Sequence, residues 1–287
     1  MFPCHAATFE TPKKVLLNGL WFGTPTPKRA YVWLHGLSSS MWSRHSITEI
    51  LAKDDTAVLA FSNRGHDTVA TIRKGTRRMT GGSGAEKFEE CVDDIDGAVR
   101  FAQERGASEI ILVGHSTGCQ KAIYWAHKRK SNGIAGVVLL APLSDWASAN
   151  AMTRERMLLK GATQKARALL RAGKPHAFLP DGAWHHPITA QRFLSLFTPD
   201  STEQSIFSYF DGARSTKIFT SVTAPVLALF AGKDEYGDRP AKRIAAWFEA
   251  HPPRRGVSCI IIPDVDHGFK GAEQDVAQNI AIWAHGA

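Results

Sequence analysis

Six short, nearly unbroken apolar runs constrain this chain more than any other feature: Ala30–Leu34, Thr56–Phe61, Ile110–Val113, Gly136–Ala141, Val226–Ala231 and Val257–Ile262. Runs this short, without an apolar–polar alternation, fit strands buried on both faces. Helix-forming sequence separates most of them. Alternating strands and helices imply a parallel sheet covered by helices on both sides, an α/β architecture.

The remaining segments fit around that frame. Ala6–Glu10, a turn at Thr11-Pro12-Lys13 and Val15–Phe22 read as an antiparallel pair. A helix is expected from near Ser43, and others at 241–250 and 271–284. Ala85–Arg105 reads as an amphipathic helix, because Phe88, Val92, Ile95, Val99 and Ala102 recur at spacings of three and four before Gly106 stops it. Thr68–Gly84 has no period and is expected to be a functional or mobile loop. The alternation breaks at Asp145, and from Trp146 to about Thr220 no convincing strand is found. The reading is one α/β domain (1–145 and 221–287) with an inserted, mainly helical lobe (146–220) acting as a cap.

With 287 residues, 44% of them hydrophobic, the chain can bury one large core. No apolar run approaches the ~20 residues that span a bilayer, and Met1–His5 does not resemble a signal peptide. Cys4, Cys91, Cys119 and Cys259 are scattered, matching neither a disulfide framework nor a zinc site. A cytoplasmic setting is expected. The net charge is +8, and it is concentrated: Trp146–Pro180 holds Arg154, Arg156, Lys160, Lys165, Arg167, Arg171 and Lys174 against Glu155 alone. That run reads either as a solvated helical face or as a lobe attracting an anionic substrate. No nucleic-acid-binding module accompanies it.

The third run continues as Gly114-His115-Ser116-Thr117-Gly118-Cys119 and passes at once into helix-forming sequence. A strand turning sharply into a helix puts Ser116 at a strained apex, and Gly114 and Gly118 omit side chains that would collide there. A serine hydroxyl needs a base, and the base needs an orienting acid. Two later runs supply them. The run 226–231 ends in Gly232-Lys233-Asp234-Glu235-Tyr236, and the run 257–262 ends in Pro263-Asp264-Val265-Asp266-His267. In a parallel sheet these carboxyl ends share one edge, where ligand crevices form. Ser116, Asp234 and His267 are the expected triad, with Glu235 or Asp238 as alternative acids and Asp264 and Asp266 as turn formers. Backbone N–H groups of Thr117 and Leu37 (or Ser38) are the expected oxyanion donors, Gly36 allowing close approach. His35 is given no catalytic role.

The order Ser, Asp, His, together with His35-Gly36 and Asn63-Arg64-Gly65-His66, resembles serine hydrolases of the α/β-hydrolase superfamily over nearly the whole chain. At finer grain, Phe61–Asp67, Cys91–Ile95, His115–Lys121 and Phe207–Phe210 are similar to a largely uncharacterised, mainly fungal family, some members of which hydrolyse siderophore esters. The resemblance implies an esterase acting on a sizeable polar ester or lactone through an acyl-Ser116 intermediate. It implies no metal or cofactor. The expected partner is a small-molecule substrate, with neither nucleic acid nor membrane. Trp146, Met152, Met157, Trp184, Phe193, Phe197 and Phe207 are candidate substrate contacts. Rival readings are an amide or carbon–carbon hydrolase on the same triad, or a ligand receptor on a hydrolase scaffold.

Overall fold

A computed structural model describes residues 3–43 and 45–286, so the reading of Met1 and Phe2 lies outside the described residues. Ten strands form one sheet among these residues: β1 (Cys4–Glu10), β2 (Val15–Gly23), β3 (Arg29–Leu34), β4 (Thr56–Ser62), β5 (Ala70–Lys74), β6 (Arg77–Gly81), β7 (Glu109–His115), β8 (Gly136–Leu140), β9 (Val226–Ala231) and β10 (Val257–Ile262). Strands β10, β9, β8, β7, β3 and β4 lie side by side and parallel. Antiparallel β2 follows β4, and β1 pairs with β2 from Cys4↔Phe22 to Glu10↔Leu16. The six apolar runs are the six parallel strands. This is the α/β-hydrolase fold.

The helices are α1 (His45–Leu51), α2 (Cys91–Glu104), α3 (Thr117–Arg129), α4 (Asp145–Ala151), α5 (Thr153–Arg171), α6 (Ala190–Phe197), α7 (Lys217–Thr220), α8 (Ala241–Ala250) and α9 (Glu273–Gly286). Successive side chains of a strand point to opposite faces, and the core divides accordingly. Ala30, Val32 and Leu34 of β3 pack with Ile95 of α2, Cys119 of α3 and Phe248 of α8. Tyr31 and Trp33 pack on the other face with Ile47 of α1 and Ile280 of α9.

Two segments differ from the sequence reading. Thr68–Gly84 is not a loop: β5 and β6 form an antiparallel hairpin joined to β2 at Val15↔Lys74 and Leu16↔Arg73. Its turn carries Gly75 at φ +56°. Most of its side chains, including Arg73, Arg77 and Arg78, are exposed, and Ile72 is buried. An edge hairpin with so little inward surface has no apolar pattern to read. The amphipathic helix begins late, with a 3₁₀ turn at Phe88–Glu90 ahead of α2, because Glu86 turns inward to meet buried cations.

Between β8 and β9 the chain forms α4 to α7. Leu159, Ala162 and Ala166 of α5 pack with Trp184, Ile188, Phe193 and Phe197 in a separate apolar cluster. The later part of the segment does not share that cluster: Ile206, Phe207, Tyr209 and Phe219 pack into the main core. All seven basic side chains from Arg154 to Lys174 are exposed. Among the described residues, no helix is long and apolar enough to cross a membrane.

Candidate active site

The turn after β7 is held by close backbone contacts. Ser116 sits at φ 54°, ψ −125°, just before α3. A Cβ on Gly114 would lie 2.4 Å from the Gly118 carbonyl oxygen, and one on Gly118 would lie 2.1 Å from the Leu34 oxygen. Neither position has room for a side chain. Ser116 N–H donates to Leu140 O at 2.9 Å, tying the turn to β8. A non-glycine residue at positive φ costs about 1–3 kcal/mol, sustained only where the surroundings enforce it.

Strand ends bring the acid and the histidine together. His267 Nδ1–H donates to Asp234 Oδ2 at 2.8 Å, with both side chains largely buried. The other Asp234 oxygen accepts Tyr236 N–H at 3.0 Å, fixing the carboxylate plane. The backbone of His267 is held on both sides. Its N–H donates to Glu235 Oε2 at 2.8 Å, and its carbonyl accepts Nε2–H of His115 at 2.9 Å. The alternative acids are occupied elsewhere, Glu235 by that backbone and Asp238 by Arg239 at 2.7 Å. Asp264 pairs with Lys233, and Asp266 Oδ1 accepts Gly268 and Lys270 N–H in a turn.

Ser116, His267 and Leu37 line one cavity of about 570 Å³. A Cβ on Gly36 would lie 3.0 Å from Ser116 Cβ, so the peptide leading to Leu37 runs beside the serine. Among the described residues no backbone carbonyl accepts Leu37 N–H. Thr117 opens α3, where N–H groups have no intrahelical acceptor. Of the expected substrate contacts, Met152, Trp184 and Phe197 line the cavity. The others do not. Trp146 packs on Phe210, 4.9 Å between ring centroids, and Phe193 packs inside the α5–α6 cluster. Met157 is 73% exposed on the outer side of α5, and Phe207 lies under the sheet against Phe248.

The loop carrying Leu37 rests on a buried polar scaffold that sequence reading did not assemble. His35 Nδ1–H donates to Gly36 O at 2.9 Å, and its Nε2 accepts Asn63 N–H at 3.2 Å. Arg64 bonds Asp94 through Nε and Nη2, reaches Asp93 at 2.6 Å and Glu90 at 3.1 Å. Lys121 reaches Glu86 at 2.8 Å and Asn63 Oδ1 at 3.3 Å. Arg192 of α6 joins Glu86 at 3.0 Å and Glu203 at 2.5 Å. Burial alone would raise the Glu86 carboxyl, but Lys121 and Arg192 outweigh it and hold it below its ordinary value. The only sequence signal for this scaffold was its motifs: Asn63-Arg64, Asp93-Asp94 and Lys121 are residues of three of the four stretches that carry the family resemblance.

Burial pushes His35 down to about 4, with the charge of Lys121 adding to the fall. The folded protein therefore keeps His35 neutral to about pH 4, while an unfolded histidine takes up its proton near pH 6.5. Between those values the unfolded state binds the extra proton, so stability falls as the pH drops through that window. The gap corresponds to about 3 kcal/mol. Melting temperatures between pH 7 and 4 should fall less steeply in His35→Gln than in wild type; equal slopes would contradict the buried neutral imidazole. His186, also held down to about 4, keeps the variant's slope above zero.

The family model described as "Protein of unknown function (DUF1749)" matches residues 75–283. Among curated proteins, no sequence matches the chain. Solved structures resemble it across almost its whole length at low identity. An esterase of Pyrococcus furiosus, Pf2001, is 18% identical over 98% of this chain and 90% of its own, with a TM-score of 0.60. The alpha/beta hydrolase GrgF from Penicillium sp. sh18 is 15% identical over 97% of each chain, with a TM-score of 0.65. A monoacylglycerol lipase of Paleococcus ferrophilus is 19% identical over 98% of each chain, with a TM-score of 0.61.

Proposed function

Because the chain belongs to the DUF1749 family and has the fold of the α/β-hydrolase superfamily, we propose that it is a serine hydrolase cleaving carboxylic esters or lactones. The observation that carries this reading is the 2.8 Å bond from His267 Nδ1–H to Asp234, with His267 and Ser116 opening into one cavity. A proton fixed on Nδ1 leaves Nε2 as the basic nitrogen. His267 Nε2 takes the Ser116 proton as Oγ attacks the ester carbonyl, and returns it to the departing alkoxide. Water then attacks the acyl-Ser116 ester with the same histidine as base, releasing the acid and restoring the serine. Thr117 and Leu37 N–H receive the negative oxygen of each tetrahedral intermediate. Residues 146–220 contribute the cap: Met152, Trp184 and Phe197 reach the cavity from that segment.

The strained turn and the fixed carboxylate support hydrolysis over a ligand-receptor role, since a receptor needs neither. A panel of p-nitrophenyl esters with acyl chains from acetate to decanoate tests the reading. Turnover of at least one member is expected, with a pre-steady-state burst of nitrophenol where deacylation is the slower step. Absence of turnover across the panel, with p-nitrophenyl amides cleaved instead, would favour the amidase alternative.

A further inference from the structure

The charge of the cavity is opposite to that of the chain. The protein carries +8, yet its seven clustered basic side chains face solvent and none lines the cavity. Among the described residues the wall contains no lysine or arginine, and it contains Asp145, Glu155 and Glu235. Glu235 is committed to His267 N–H. Asp145 and Glu155 are the wall carboxylates the chemistry leaves unused, and of the two Asp145 is the one held in place by side-chain hydrogen bonds. It opens α4 immediately after the Ser144 cap, and its Oδ2 accepts Nε2–H of Gln120 at 3.2 Å and of Gln204 at 3.3 Å. Both donors are neutral amides. They orient the carboxylate without cancelling its charge, and among the described residues Asp145 has no ion pair.

We propose that the cavity selects esters bearing a protonated amine, and that Asp145 is the residue that selects them. The inference rests on ester hydrolysis at Ser116. Three observations beyond the wall's charge sign carry it. Asp145 lines the same cavity as Ser116 and His267. The buried cation whose charge reaches Asp145, Arg192, is already shared between Glu86 and Glu203. Aromatic side chains line the space: Trp184 and Tyr236, the Tyr236 ring standing 5.0 Å from that of His267. A carboxylate with aromatic walls is a combination that binds ammonium groups. Burial pushes Asp145 up to about 7, Glu203 adding to the rise and Arg192 opposing it. A substrate cation at hydrogen-bond distance offsets that cost, and a substrate carboxylate increases it. The anionic-substrate reading of the basic run is thereby replaced: those charges form a solvated outer face.

The test compares matched esters on wild-type protein at pH 8. One series varies the acyl chain: p-nitrophenyl 6-aminohexanoate, heptanoate and hydrogen adipate. The other varies the alcohol part: acetylthiocholine against its neutral tert-butyl analogue, 3,3-dimethylbutyl thioacetate. In at least one series the cationic ester should exceed its neutral counterpart in kcat/KM by about tenfold or more, by the usual strength of a partly buried charge pair. The adipate should be the poorest of its series. In Asp145→Asn the cation-to-neutral ratio should fall toward one. A neutral or anionic preference in both series overturns the proposal, as does a cation preference that Asp145→Asn leaves intact. Labelling of Ser116 by a fluorophosphonate, run in parallel, separates the two failures. Labelling without cation preference sinks the substrate class alone, and loss of labelling and turnover together sinks the hydrolase reading beneath it.

Discussion

Ser116→Ala is expected to lower kcat/KM toward the best ester by about 10⁴–10⁶-fold and to abolish covalent labelling by a fluorophosphonate. The alanine removes the only atom that can form the acyl bond while sparing the turn. Alanine keeps the Cβ that already stands 3.0 Å from where a Gly36 side chain would begin, and it keeps the Ser116 N–H bond to Leu140. The melting temperature should therefore stay close to that of wild type. Activity loss without thermal loss is the signature to look for. Labelling that persists in the variant would place the nucleophile elsewhere.

The second large effect concerns Asp234. In Asp234→Asn the amide oxygen is drawn to Tyr236 N–H, which Asp234 Oδ1 accepts at 3.0 Å. The amide NH₂ then faces His267 Nδ1, a donor against what must be a donor. The imidazole moves its proton to Nε2 and can no longer accept from Ser116. A loss of about 10³–10⁴-fold in kcat follows, largest near neutral pH. Glu235→Gln keeps an acceptor for His267 N–H and should cost no more than about tenfold. Comparable losses in the two variants, or a larger one in Asp238→Asn, would reassign the orienting acid.

Legibility in the sequence followed burial. The six parallel strands were readable because strands covered on both faces are apolar throughout, and the meeting of Asp234 with His267 was readable because strand ends in a parallel sheet converge. The hairpin at Ala70–Gly81 was not, since it has water on most of its surface and needs no apolar pattern. Buried charges left no mark of their burial in the sequence. Lys121 and Arg192 look like ordinary helix-surface residues in sequence, yet their side chains are 3% and 0% exposed. A cation reveals its burial only when its carboxylate is placed beside it, and Glu86 lies 35 positions from Lys121. Apolar residues of the inserted segment posed a third problem. Met152 and Met157 have the same chemistry, and only the course of the chain decides that one lines the cavity and the other faces water.

The chain of buried charges from Lys121 through Glu86 and Arg192 to Glu203 bears on how the segment above the cavity is held. Lifting α6 from the sheet would part Arg192 from Glu86, leaving Glu86 with Lys121 and Arg192 with Glu203. Helix α5 is under no such restraint: among the described residues, none of the seven basic side chains from Arg154 to Lys174 forms an ion pair. Helix α6 is thus moored by charge as well as by apolar packing, whereas α5 is moored by the packing of Leu159, Ala162 and Ala166.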